Sequence, residues 1–121
     1  MVEKTPDQQL EALVFNALKS SGVELQPGHV HVNSNETHMG GKKILEKTHI
    51  RIEKATSKTM DALWRALDAQ LPSKGDEQSK GFCSGNEITI FAMSHDMLEL
   101  LNKVELEKVV KTQMAGPPKV G

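Results

Sequence analysis

A chain of 121 residues has the length of one domain. Its composition, 37% hydrophobic and 26% charged with no Tyr, one Trp and three Phe, leaves leucine, methionine and the β-branched residues to fill a small aliphatic core. A formal net charge of -1 gives no global attraction to nucleic acid or to an anionic membrane, and a single cysteine, Cys83, excludes an internal disulfide and a cysteine-ligated zinc finger.

The opening residues, MVEKTPDQQL, lack the apolar core of a signal peptide, and no segment approaches the ~18 apolar residues that cross a bilayer. The expectation is one domain over residues 1–121, cytoplasmic or otherwise intracellular. Leu10, Leu13, Val14, Ala17 and Leu18 then recur at spacings of three and four, which predicts an amphipathic helix over residues 6–20. Thr5 before Pro6 is a good start for it, and Ser20-Ser21-Gly22 a good stop.

HVHVN (residues 29–33) and THIRIE (residues 48–53) alternate polar and apolar side chains, as strands with one buried face do. The turn-rich SNETHMGGK between them predicts an antiparallel hairpin. Thr56 and Ser57 can cap a second helix that carries Met60, Leu63, Trp64, Leu67 and Leu71, and Pro72 ends it. PSKGDEQSKGFCSGN (residues 72–86) is polar apart from Phe82 and Cys83 and reads as a long loop. EITIFAM (residues 87–93) is apolar on both faces, as an enclosed strand is. Ser94 can cap a last helix through Leu101 and Val104 that continues or restarts through Val109 and Val110, before a flexible tail at 115–121. The order α-β-β-α-β-α implies an α+β two-layer sandwich, with a small, mainly antiparallel or mixed sheet and helices on one face.

Strand parity sorts the histidines. If Val30, Val32, Ile50 and Ile52 face the helices, then His29, His31, Asn33, Lys47, His49 and Arg51 share the opposite face. A hairpin centred on Gly40 sets His31 opposite His49, and one centred on Met39 sets His29 there. Three imidazoles so gathered could hold zinc with an open position for water, the basis of a metal-dependent enzyme, although Lys47 and Arg51 on the same face repel a divalent cation. The stretch 42–58 has six Lys or Arg against Glu46 and Glu53, so His29, His31, Lys43, Lys47, His49 and Arg51 could instead bind the phosphate of a nucleotide or of RNA. The hairpin holds no aromatic residue to stack on a base. A solvated, lysine-rich strand face explains the same residues without any ligand.

Lys80, Phe82 and Cys83 are candidates in the loop. Cys83 could act as a nucleophile with His95 or His38 as base, but a lone cysteine beside Phe82 at the start of a buried strand also reads as a small core residue. Ser94-His95-Asp96 unites triad residue types only in sequence, and helix capping accounts for Ser94 and Asp96.

The element order, with SNETHMGG followed by THIRI, resembles the BolA family over residues 28–57. That resemblance implies a KH-like fold and partnership with monothiol glutaredoxins at an iron–sulfur cluster. The second helix lacks the family's Arg-His-Arg segment and EITIFAM lacks its histidine, so no site residue carries over. With no strong catalytic motif, the residues point first to a small binding or adaptor protein that meets a protein partner through its open sheet face and long loop. A homodimer would help so thin a core.

Overall fold

A computed structural model describes residues 4–71 and 80–115, except the side chains of Lys43, Ile44 and Ala115. The expected loop segment 72–79 and the tail from 116 lie outside them. The elements are α1 (Pro6–Ser20), β1 (Val30–Met39), β2 (Lys42–Ile52), α2 (Ser57–Gln70), β3 (Gly81–Ser84), β4 (Glu87–Ile90), α3 (Ser94–Leu101) and α4 (Leu106–Ala115). The four strands form one antiparallel sheet in the order β1-β2-β4-β3. The architecture is α+β, with one strand and one helix break more than the expected order.

Local chemistry explains most boundaries. The Thr5 hydroxyl accepts the Gln8 N–H at 3.2 Å while the Gln8 side chain accepts the Thr5 N–H at 3.0 Å, a reciprocal capping box that starts α1. Thr56 caps α2 through the Thr59 N–H at 3.1 Å. At α3 the capping residue is Met93, not Ser94, and no side chain caps it. The Ser94 hydroxyl is drawn away to Asp7 of α1, which also accepts the Ser34 hydroxyl at 2.7 Å and the Ser34 N–H at 3.3 Å. Asp7 thus ties α1, β1 and α3 together.

The last helical stretch divides at residues 102–105. In one continuous helix Leu106 would lie about 140° around the axis from Leu101. The break re-aims the chain so that Leu101, Leu106 and Val110 are all buried.

The core is a single cluster between the sheet and the helices. Val30, Val32, Ile50, Ile52, Ile88 and Ile90 supply its sheet side and are 0–5% exposed, each worth about 1.5–3 kcal/mol when fully buried. Leu10, Val14 and Leu18 of α1, Met60, Leu63 and Leu67 of α2, Met97 and Leu101 of α3 and Val110 of α4 meet them. α4 packs against both α1 and α2. Among the described residues no helix is long and apolar enough to cross a membrane.

Candidate functional site

Gly40 and Gly41 both have positive φ, +60° and +80°, as the two central residues of a type I′ hairpin turn require. The Gly-Gly pair is therefore accounted for by the turn. Together with an irregularity between Thr37 and His38, this turn sets His31 opposite Arg51 and Asn33 opposite His49. Both registers expected from the sequence are displaced, because neither paired a two-residue turn with a bulge. His31 and His49 become diagonal neighbours, about 7–8 Å apart at Cβ.

The expected parity holds: Val30, Val32, Ile50 and Ile52 point into the core and His31, Asn33, Lys47, His49 and Arg51 lie on the other face. β4 and β3 extend that face. One row across the four strands reads Asn33, His49, Thr89, Phe82, and the next reads His31, Arg51, Glu87, Ser84.

Two acidic residues temper its positive charge. His31 Nε2 bonds Glu53 at 2.8 Å, and this bond with the nearby His31, His29 and Arg51 charges holds the Glu53 carboxyl below its usual range. His49 Nδ1 lies 3.1 Å from the Thr89 hydroxyl and 3.3 Å from Glu87. Glu53 and Glu87 stand on the same face as Arg51 and Lys47, so it carries both signs of charge.

Its apolar feature is at the far side from β1. Phe82, 49% exposed, meets Phe91 just past β4 with ring centroids 6.2 Å apart and planes tilted by 58°. The stretch from 80 to 86 is not loop but β3 and a two-residue turn, Gly85-Asn86, with Gly85 at φ +59°. The strand separates the three residues expected to act together there. Phe82 faces outward, Cys83 packs against the core, and Lys80 reaches back to Asp68 of α2, 3.4 Å from its carbonyl and 3.9 Å from its carboxylate. Burial, then the charge of Asp61, pushes the Cys83 thiol up from its ordinary value, the opposite of nucleophile activation. The exposed His95 sits 3.3 Å from the half-buried Asp96, with the Ser94 hydroxyl turned to Asp7, so the run makes no triad.

His29 stands just before β1, its carbonyl still accepting the Glu53 N–H at 2.9 Å. Gln26-Pro27-Gly28-His29 is a tight turn closed by the His29 N–H on the Gln26 carbonyl at 3.1 Å, with proline second and Gly28 third at φ +94°, the type II pattern. It also places His29 in a cleft with Lys19 and Lys54, while its charge still reaches Glu53, the partner of His31. Among the described residues no group of three or more His, Cys, Asp or Glu side chains is placed to hold a metal ion. Lys43 pairs with His38 next to the turn, remote from Arg51 along β2.

Sequence reasoning missed Phe91, Thr89, Glu87 and Glu53 as members of the face. The signal for the first three was Gly85-Asn86, a two-residue hairpin dipeptide between FCS and EIT. Compared with protein-family models, curated proteins and solved structures, the chain matches none.

Proposed function

We propose that the chain is a binding module that takes a protein partner on the open face of its sheet, with Phe82 and Phe91 as the apolar anchor and Arg51, His31 and His49 around it. The observation that carries this reading is the half-exposed Phe82 in contact with Phe91 on the face opposite the helices. Interfaces concentrate their energy in aromatic and arginine side chains within a polar rim, and this face has that composition. The mixed charges of this face suit a partner with its own mixed charges. They suit a run of phosphates less well, because Glu53 and Glu87 share the face with Arg51 and Lys47.

The test compares immobilised wild-type protein with a Phe82→Glu, Arg51→Glu variant, both shown to be folded by thermal melting. Quantitative mass spectrometry of proteins retained from a cell extract should find a stoichiometric species held by the first and lost from the second. Identical retained sets would remove the sheet face from consideration. Sedimentation of the same two proteins asks whether the partner is a second copy: a dimer that the double variant dissolves would name it.

A further inference from the structure

Where β1 begins and β2 ends, a cleft of about 830 Å³ opens between the end of α1, the start of α2 and the last turn of α4. That volume is in the range of small-molecule sites. Three basic side chains from separate parts of the chain line it: Lys19 from the last turn of α1, His29 from the turn before β1, and Lys54 from the turn after β2. Glu24 is the one carboxylate among its described lining residues. Val23, Leu25, Ala55 and Met114 give it apolar wall.

His29 is held for donation. Its Nδ1 lies 3.4 Å from the Gln26 N–H, which leaves Nε2 as the ring's donor. Thr56 and Thr59, the latter 5% exposed, also line it, with the Thr56 hydroxyl donating to that of Thr59 at 3.0 Å.

We infer that this cleft is a binding site for a small phosphate monoester with a compact uncharged organic group. The phosphate lies among Lys19, Lys54 and His29, and the organic group lies against Val23, Ala55 and Met114. Lys19, Lys54 and the His29 ring N–H offer three separate donors to the three terminal oxygens of a phosphate, where a carboxylate has only two oxygens to meet them; with Glu24 the lining keeps one net positive charge. The site uses none of the residues that carry the sheet-face reading, so either stands if the other fails.

Phenyl phosphate and inorganic phosphate are titrated separately into ¹⁵N-labelled protein. Phenyl phosphate should shift the amides of Gly22, His29 and Lys54, bind more tightly than inorganic phosphate, and weaken as salt screens the lysines. Lys19→Gln, Lys54→Gln, with both changes on solvated side chains, should weaken phenyl phosphate by about tenfold or more at unchanged melting temperature. Shifts confined to other surfaces, equal affinity for the two probes, or unchanged affinity in the double variant would each overturn the assignment. A Phe82→Glu variant should bind phenyl phosphate as the wild type does, and loss there would count against it too.

Discussion

Replacing Gly81 by alanine should destabilise the protein more than any other glycine substitution in the sheet. A Cβ built there would stand 2.2 Å from the Thr89 carbonyl oxygen and 2.9 Å from the Ile90 Cα. Ordinary contact begins near 3.4 Å, so the strands must part by 3.4 − 2.2 = 1.2 Å, and both obstructing atoms are backbone. Overpacking of this kind costs about 1–3 kcal/mol. The neighbouring bond from the Phe91 N–H to the Lys80 carbonyl, 3.0 Å, strains with it, adding ~1 kcal/mol. The sum is about 3 kcal/mol, and at roughly 4 °C per kcal/mol for a chain of this size the midpoint should fall by about 12 °C. Gly85→Ala is the control: it has φ +59° but nothing within 4 Å of the new Cβ, so it should cost only about 1 kcal/mol. Urea denaturation of the two variants and the parent measures both. If Gly81→Ala costs no more than Gly85→Ala, the close approach of β3 to β4 is wrong, and with it the placement of Phe82 beside Phe91.

Other outcomes follow from single contacts. Asp7→Ala removes the acceptor of both Ser34 donors and of the Ser94 hydroxyl, which is 1% exposed, and should cost about 2–3 kcal/mol by urea denaturation, with part recovered by adding Ser94→Ala. In ¹³C NMR the Glu53 carboxyl should titrate below 4.5, and His31→Asn should raise its midpoint. Because that folded-state value is depressed, the pair stabilises above the unfolded carboxyl's pKa, and the contribution is lost as pH falls through the folded one. Cys83 has the opposite sign: its raised pKa stabilises below the unfolded thiol's value and the contribution is lost as pH rises through the folded one. At neutral pH its reaction with a disulfide reagent should be slower than that of a small free thiol, and denaturant should abolish the difference.

The helix starts at Thr5 and Thr56, the hairpin and the inward set of its valines and isoleucines were legible because caps and period-two alternation are local properties. What escaped was decided by pairing. The strand Gly81–Ser84 is four residues long, and apart from the Gly85-Asn86 dipeptide only its bond to β4 distinguishes it from loop. The division of the last helix depends on where Leu106 must point, which no cap in NKVE announces. The site suffered in the same way: parity placed His31, His49 and Arg51 on one face, but their order across the strands depended on an irregularity at Thr37 and His38 with no sequence mark. His29 keeps its cross-strand bond to Glu53, but its proline–glycine turn adds Lys19 and Lys54 as neighbours. Side-chain partners such as Glu53 for His31 belong to tertiary geometry alone.

The carboxylates of α1 have a consequence at the rim of the sheet. β1 is an outer strand, and at Val32 and Ser34 its outward N–H groups are taken by Glu11, at 3.1 Å, and Asp7. An arriving strand from another molecule would find those donors already engaged, so growth of the sheet is opposed over the stretch from Val32 to Ser34. Two acidic side chains of the first helix thus guard a stretch of strand edge that its own sequence leaves open.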